Sequence, residues 1–326
     1  MKAIVCPRYG PPDVLRLEEV DKPQPKDDEI LIRNHATTVI LGDCELRGFN
    51  FPYYSLGFRL LIRVGFGIRG PRKKILGQQL AGIVEEVGGD VTLFKPGDQV
   101  FACTELDLGA YAEYKTMSEK GLVTAKPTSM SFEEASTIPI GGTEALHFMN
   151  KANIQKGQSV LVNGAGGSIG TIAIQLAKAK GAEVTAVDSA GKFDMLKYLG
   201  ADHLIDYQQE LFTERGNTYD VIFDVVGVTS FSGCMKSLNQ NGVYLQGNGM
   251  ISRGERSKAR NSNMLAIHGP ATYSTTRLIE LRELIEAGTI KAVIDRTFPL
   301  EEMVEVHRFV ERGGKLGNVV VTLASQ

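Results

Sequence analysis

The sequence predicts an α/β protein in which a small β domain precedes a doubly wound parallel sheet. Between Ser159 and Asp188 an apolar strand ends in a glycine cluster, a helical pattern follows, and a second strand ends on an acid. Strand-like runs and helical patterns keep alternating after this unit, which is typical of a sheet with helices on both faces. Residues 1–114 instead contain short strand-like runs broken by Gly and Pro.

The length and composition favour two domains and a balanced surface charge. With 326 residues, the chain is longer than one ordinary core accommodates. Its 36 basic and 38 acidic residues argue against bulk binding of nucleic acid. We find no apolar run long enough for stable membrane insertion and no secretory signal, so we expect a cytoplasmic protein. The four widely spaced cysteines are expected to be reduced thiols.

The first part of the chain has the pattern of a partly barrel-like β domain. The predicted strands are Ile30–Asn34, Ala81–Val87, Gln99–Phe101 and Ala110–Tyr114. Residues 49–74 break this pattern with aromatic and basic side chains. We interpret this segment as a lid over a pocket, in preference to a membrane-contacting piece or a solvated insertion that packs on the β domain.

The sequence between the β domain and the C-terminus has the pattern of alternating helices and strands. Ser131 and Glu134 have the spacing of a capping box, and Pro139, Gly141 and Gly142 interrupt the helix that begins there. The later helices are predicted at Met195–Leu199, Phe231–Leu238, Thr275–Ala287 and Leu300–Arg312, and the later strands at His203–Ile205, Asp220–Val226, Gly242–Leu245 and Asn318–Leu323. Residues 247–273 are predicted to form a polar loop, and we interpret its basic cluster, Arg253–Arg260, as solvated in preference to contacting a phosphate.

The glycine cluster predicts a dinucleotide-binding turn. Gly164, Gly167 and Gly170 have G-x-x-G-x-x-G spacing, and Gly166 lies between them. The missing side chains allow a tight turn, close approach of a pyrophosphate and close packing of helix on strand. The helix that begins near Ser168 directs its N–H groups toward the phosphates. The predicted binding residues are Gly164, Ala165, Gly166, Gly167, Ser168 and Ile169. The alternative is a glycine-rich turn of such a sheet that binds no cofactor.

Several stretches match a known family in order along the whole chain. They are PDVLRLEEV, ILGQQLAGIVEEVG, FKPGDQVF, GAYAEY, NGAGGSIGTIAIQLAKAKGA, YDVIFDVVG and GNVVV. Together they resemble the medium-chain dehydrogenase/reductase superfamily, specifically its zinc-free quinone oxidoreductase and enone reductase branch. The resemblance implies a GroES-like catalytic domain at 1–124, a Rossmann NAD(P)-binding domain at 125–265, and a C-terminal return at 266–326 that completes the first domain. It also implies a cofactor in the cleft between the domains and a homodimer.

The resemblance also allows a test for zinc. Zinc-dependent relatives have a Cys before an Asp-containing turn and a Gly-His-Glu before a strand; the corresponding stretches here are Ile40–Asp43 and Gly77–Gln79. An Ile side chain cannot coordinate zinc, and Gln is a poor ligand. We therefore predict no metal. Without this Lewis acid, we expect hydride addition to a small-molecule quinone or α,β-unsaturated carbonyl compound.

The proton donor and two other functions stay open. Branch members often have Asn where Ile40 stands, and some have Tyr near Glu45; both are missing here. The candidate donors are Tyr54 and Tyr53 on the expected lid, then Glu45, with water as the alternative. An alcohol or aldehyde dehydrogenase and an NAD(P)H-binding protein without turnover are the other functions.

Two signals disagree about the cofactor. Asp188 ends the second strand of the glycine-rich unit, where a carboxylate pairs with the ribose 2′-hydroxyl and repels a 2′-phosphate, which favours NADH. Most zinc-free relatives prefer NADPH and use residues that Ser189 and Lys192 resemble. If Asp188 turned away, these two would bind the 2′-phosphate, so the resemblance slightly favours NADPH. Asn318 resembles the family's C-terminal residue near the cofactor; the alternative is a strand-initiating turn residue.

Overall fold

The chain forms two compact units. The computed structural model describes residues 1–51 and 56–323. One unit comprises Met1–Ile140, Tyr273–Glu286 and Ala292–Gln326, and the other comprises Gly141–Thr272 and Ala287–Lys291. The functional division at residues 124/125 and 265/266 stays a prediction.

Strands predominate before residue 126, and strands and helices largely alternate after residue 158. The strands are β1 (Lys2–Val5), β2 (Arg16–Glu19), β3 (Glu29–Thr38), β4 (Gln79–Val87), β5 (Gln99–Cys103), β6 (Tyr114–Ser118), β7 (Val123–Ala125), β8 (Ser159–Asn163), β9 (Glu183–Asp188), β10 (His203–Asp206), β11 (Tyr219–Asp224), β12 (Leu238–Gln246), β13 (Leu265–His268), β14 (Ile294–Pro299) and β15 (Asn318–Thr322). The helices are α1 (Leu41–Gly48), α2 (Leu56–Phe66), α3 (Phe132–Ser136), α4 (Pro139–Ala152), α5 (Ser168–Ala179), α6 (Phe193–Tyr198), α7 (Phe231–Lys236), α8 (Arg253–Asn261), α9 (Thr275–Glu286) and α10 (Met303–Arg312).

The first unit is built on a largely antiparallel sheet in the order β14-β15-β3-β4-β5-β7, with β6 also pairing with β3. The C-terminal strand joins this sheet, since Val321 of β15 lies opposite Thr37 of β3. Buried aliphatic side chains from the central strands, among them Ile30, Leu80 and Val100, form one of its cores. Segments distant in sequence therefore share one sheet.

One prediction in the first unit needs correction, and one segment without a predicted element contains a helix. Residues 110–113 are not a strand, and β6 begins only at Tyr114. Their backbone bonds to other segments: Ile4 N donates to Tyr111 O at 2.8 Å, and Tyr111 N donates to Leu76 O at 3.0 Å. Within residues 49–74, where the pattern of elements breaks down in the sequence, the chain forms the helix α2.

The second unit is a parallel sheet in the order β10-β9-β8-β11-β12-β13. Numbering its strands along the chain gives 3-2-1-4-5-6, the order of dinucleotide-binding folds. The direction of winding reverses between β8 and β11, so their carboxyl ends border the crevice where such sheets bind ligands. Val160, Leu161 and Val162 are fully buried in β8, as expected for a strand covered on both faces.

Two further predictions are wrong in the second unit and at its border. Residues 247–273 are not simply a polar loop, because they contain α8 and β13. A second capping box, Ser252 with Glu255, starts α8 despite the polar composition. The predicted interruption is present at Pro139, because α3 ends at Ser136 and Pro139 begins α4, where its fixed φ is favourable. Gly141 and Gly142, however, do not interrupt a helix. Gly141 lies inside α4, where a Cβ atom would come within 2.7 Å of Ser168 O.

The composition led to expectations about disulfides and about membrane insertion, and the cysteines and the helices bear on them. Cys6, Cys44, Cys103 and Cys234 are all buried, and none of them forms a disulfide with another described cysteine. Within residues 1–51 and 56–323, we find no helix with the length and apolar content needed to cross a membrane.

Candidate active site

The turn between β8 and α5 depends on two glycines. Gly164 has φ +83°, and a Cβ atom there would lie 2.5 Å from Val226 Cγ2. Gly170, in the first turn of α5, would place a Cβ atom 2.3 Å from Gly164 O. Any larger residue would push α5 away from the end of β8. The close packing expected from the spacing is thus a property of this turn.

The start of α5 has the features of an anion site. Gly167 is its N-cap and supplies no side-chain hydrogen bond. Helix geometry leaves the first N–H groups without intrahelical acceptors and places positive partial charge at this end. A Cβ atom at Gly167 would meet nothing closer than Gly164 O at 3.7 Å, so there is space in front of the turn. These features fit a pyrophosphate, which needs both N–H donors and close approach.

Asp188 connects the end of β9 to the glycine turn. Its Oδ2 atom accepts from Gly166 N at 2.7 Å, and its Oδ1 atom accepts from Ser189 N at 2.8 Å. The same Oδ1 atom pairs with Lys192 Nζ at 2.9 Å. Asp188 is only 5% exposed. The structure therefore brings the predicted residues of the turn and of the second strand together, with the carboxylate directed at the turn.

A buried polar cluster at the carboxyl ends of β8 and β11 was missed in the sequence. Asp224 Oδ1 accepts from Asn163 Nδ2 at 2.9 Å and from Gly227 N at 2.9 Å, and Asp224 Oδ2 accepts from Tyr244 OH at 3.3 Å. Burial raises the pKa of the Asp224 carboxyl. The cluster fixes the loop after β11 beside the glycine turn. The sequence signal that could have indicated this cluster is Asp224 itself, an acid at the end of a continuous apolar strand.

Asn318 offers an unused acceptor in the first unit. The residue begins β15 and is 3% exposed. Its Nδ2 atom donates to Val293 O at 3.1 Å, whereas its buried Oδ1 atom has no hydrogen-bond partner among the described residues. A buried acceptor without a partner costs free energy, so an N–H donor from a ligand would stabilise it.

Of the three candidate proton donors, the structure describes only the surroundings of Glu45. Tyr53 and Tyr54 lie outside the described residues. Glu45 lies on α1 and is half-buried. Burial raises the pKa of its carboxyl, which has no hydrogen bond or ion pair with the described part of the chain. A partly desolvated carboxyl without a partner is a reasonable general acid.

The two stretches compared with zinc ligands meet at Asp43. Its carboxylate accepts from Ile40 N at 3.2 Å, from Gln78 Nε2 at 3.0 Å and from Tyr111 OH at 2.9 Å. Asp43 is fully buried, and burial raises the pKa of its carboxyl to about 6. The Gln78 amide group therefore donates a hydrogen bond to a carboxylate. The position compared with a zinc ligand is thus occupied by a hydrogen-bonded amide, which is not a strong metal ligand.

A buried thiol and imidazole lie beside this position. Cys44 Sγ is 3.3 Å from His307 Nδ1. Burial raises the pKa of the Cys44 thiol and lowers the pKa of His307 to about 3, so both side chains are neutral near pH 7. Across residues 1–51 and 56–323, His, Cys, Asp and Glu side chains form no group of three that could hold a metal ion. That the protein works without zinc stays a prediction.

A separate cavity of about 300 Å³ lies at the amino ends of β8, β9, β10 and β11. Its walls include Glu183, His203 and Arg215, and the residues of the glycine turn are not among them. The cavity is therefore at the opposite edge of the sheet from the candidate cofactor site.

Comparisons with known proteins agree with this geometry. Residues 26–128 match the alcohol dehydrogenase GroES-like domain, and residues 199–321 match a family described as zinc-binding dehydrogenase. The chain is 31% identical to 2-methylene-furan-3-one reductase of Solanum lycopersicum, over 98% of this chain and 79% of that protein.

Two solved structures extend the comparison to the fold. The quinone oxidoreductase from Coxiella burnetii has a TM-score of 0.87 at 28% identity, over 99% of each chain. The Escherichia coli quinone oxidoreductase complexed with NADPH has a TM-score of 0.83 at 25% identity, over 99% of this chain and 100% of that chain.

Proposed function

Because the chain belongs to the medium-chain dehydrogenase/reductase superfamily, in its quinone oxidoreductase and enone reductase branch, we propose that it is an NAD(P)H-dependent oxidoreductase acting on a quinone or an α,β-unsaturated carbonyl compound. The observation that carries this proposal is the glycine turn between β8 and α5, which combines an uncapped helix start with open space at Gly167. This turn lies at the crevice of a sheet with dinucleotide-binding strand order.

In this proposal, residues of the chain bind the cofactor and orient its nicotinamide end. The turn from Gly164 to Ile169 receives the pyrophosphate, and the Oδ1 atom of Asn318 accepts a hydrogen bond from the nicotinamide end. When bound, the reduced nicotinamide supplies the hydride. Asp224 and Asn163 hold the loop after β11 in place beside the turn.

The cofactor preference that we propose is NADPH slightly ahead of NADH. Both carboxylate oxygens of Asp188 accept hydrogen bonds from backbone N–H groups, so the carboxylate already has a structural role in the turn. Lys192 Nζ pairs with one of these oxygens and has further hydrogens for a 2′-phosphate. The hydroxyl of Ser189 is the nearby polar group, as in the resemblance described above.

The remaining parts of the proposal concern the proton, the metal and the assembly. Glu45, Tyr54, Tyr53 or water delivers the proton, with Glu45 the candidate whose surroundings are described. The reaction proceeds without zinc, because Ile40 and Gln78 occupy the positions compared with metal ligands. We also propose a cytoplasmic homodimer, in which residues 1–124 and 266–326 form the GroES-like catalytic domain and residues 125–265 form the Rossmann NAD(P)-binding domain.

A single substitution at the helix start tests the cofactor site. In Gly167→Asp, the new carboxylate has space, caps α5 and occupies the N–H groups that the pyrophosphate requires. We expect unchanged or higher thermal stability, together with loss of NADPH binding measured by nucleotide fluorescence. Gly191→Ala is the matched control, because a Cβ atom there meets nothing within 4 Å. Full NADPH affinity in a folded Gly167→Asp protein would refute the proposed site.

A further inference from the structure

The helix α2 presents an apolar face to solvent. Leu60, Leu61 and Val64 are 60%, 66% and 57% exposed, and their spacing places them on one side of the helix. Gly57 and Gly65 complete this side, so it has no polar side chain. A surface helix ordinarily directs polar residues outward, so this face is unusual for a helix that meets only water.

The opposite side of α2 is attached to the β domain. Phe66 packs against the core formed by residues such as Leu46 and Leu76. The Arg63 guanidinium lies 4.8 Å from the ring centroid of Tyr9 and 4.5 Å from that of Phe49. The exposed face is therefore presented by a helix whose inner side is already packed.

The surrounding segment is basic. Residues 49–74 contain no Asp or Glu, although the whole chain has a net charge of −2. Their basic side chains are Arg59, Arg63, Arg69, Arg72, Lys73 and Lys74. Arg69 and Arg72 are exposed and form no ion pair with the described residues, whereas Lys73 pairs with Asp107 at 2.5 Å. Ile68, which is 68% exposed, places one more apolar side chain beside Arg69.

We propose that α2 and the basic residues after it bind the surface of an anionic phospholipid bilayer. With 11 residues, α2 is about 16 Å long, roughly half of the hydrocarbon thickness, so it would lie along the interface. The apolar face enters the boundary between headgroups and acyl chains, and Arg69 and Arg72 contact anionic headgroups.

A second copy of the chain fits this surface less well. A two-fold interface places the same patch on both subunits, which would bring two basic segments against each other. Stable interfaces also bury about 800 Å² on each partner, with 20 or more residues a side, far more than one face of a short helix offers. The charge of the segment is instead complementary to an anionic bilayer.

Sedimentation with vesicles tests the proposal on the full chain. We expect the protein to sediment with vesicles of phosphatidylcholine and phosphatidylserine, and much less with phosphatidylcholine alone. Arg69→Gln with Arg72→Gln should raise the lipid concentration for half-maximal binding roughly 30-fold, from the contribution of an Arg near an anionic surface. Leu60→Ser with Leu61→Ser should remove the binding that survives high salt.

Matched controls separate this surface from general charge and apolarity. Arg253→Gln with Arg260→Gln removes two cations from α8, and Leu93→Ser with Leu211→Ser removes two apolar side chains that are 62% and 52% exposed. Both controls should bind vesicles as the wild type does, and all variants should keep the wild-type thermal unfolding temperature.

Three results would overturn the proposal. The first is that the wild type does not bind the anionic vesicles, and the second is that the control variants lose as much binding as the test variants. The third is that the Leu60→Ser and Leu61→Ser double variant still binds vesicles at high salt. A molar mass in solution that halves in that same variant, without vesicle binding by the wild type, would assign the face to a second copy of the chain.

Discussion

Replacing Asp188 with serine changes both the glycine turn and the charge at the proposed adenosine end. The substitution removes the acceptor of the Gly166 and Ser189 N–H groups and the partner of Lys192. Gly166 is buried, so its N–H group loses an acceptor that water does not readily replace, at a cost of about 1–3 kcal/mol. Ser189 is half-buried, and water can satisfy its N–H group. We expect Asp188→Ser to lower the free energy of unfolding by about 2 kcal/mol.

The same substitution should shift the cofactor preference toward NADPH. It removes a negative charge that repels the 2′-phosphate and releases Lys192 to bind it. One hydrogen bond between charged groups contributes about 1.5–3 kcal/mol, so the ratio of kcat/KM for NADPH to that for NADH should rise on the order of tenfold to a hundredfold. The assay measures both specificity constants with one quinone under identical conditions.

Two further variants make the test specific. Asp188→Ser combined with Lys192→Ala should lose most of the gain, because the released cation is gone and only the relief of charge repulsion is left. Asp194→Ser removes an exposed acid from α6 and should leave the ratio unchanged. A wild-type ratio in the Asp188→Ser protein would exclude this carboxylate from the cofactor site.

Three other predictions follow from the same structure. Gly170→Ala should lower the free energy of unfolding in urea by about 3 kcal/mol, because its Cβ atom would lie 2.3 Å from Gly164 O, whereas Gly191→Ala should be nearly neutral; equal effects would contradict the packing argument. Burial raises the pKa of Asp43 to about 6 from 3.8, so the folded protein retains a proton that the unfolded chain releases between these values. This contribution to stability is complete below the lower value and is lost, by roughly 3 kcal/mol, as the pH rises through the higher one. Asp43→Asn should abolish that decline in urea titrations, and an unchanged pH profile would show that another group causes it. Glu45→Gln should lower kcat about a hundredfold with little change in the KM for NADPH, as expected for loss of a general acid; an unchanged kcat would assign the proton to Tyr53, Tyr54 or water.

The sequence was most informative where the relevant contacts are local. The turn from Gly164 to Gly170 is determined by spacing over a few residues, and the capping box at Ser131 is likewise present in the structure. The doubly wound sheet follows from the alternation of apolar strands and helical patterns, because its central strands β8, β9 and β11 are buried along nearly their whole length.

The rest could not be predicted because it depends on contacts between distant segments. Asp43 is separated in sequence from Gln78 by 35 residues and from Tyr111 by 68, so no local pattern pairs them. Asn163 and Asp224 become neighbours only through the sheet order, in which β11 lies beside β8. The helix α8 was hidden by its polar composition, since its stability depends on a cap and on a single buried residue, Ala259.

The central claim is that the glycine turn serves a reductase that needs no metal. Its most direct test follows the oxidation of NADPH and NADH in parallel, with benzoquinone, phenanthrenequinone and an alkenal as acceptors and with EDTA present throughout. We predict turnover that EDTA does not reduce, with NADPH the better donor. No turnover with any acceptor, in protein that binds NADPH, would contradict the proposed reaction and indicate a nucleotide-binding protein without this activity.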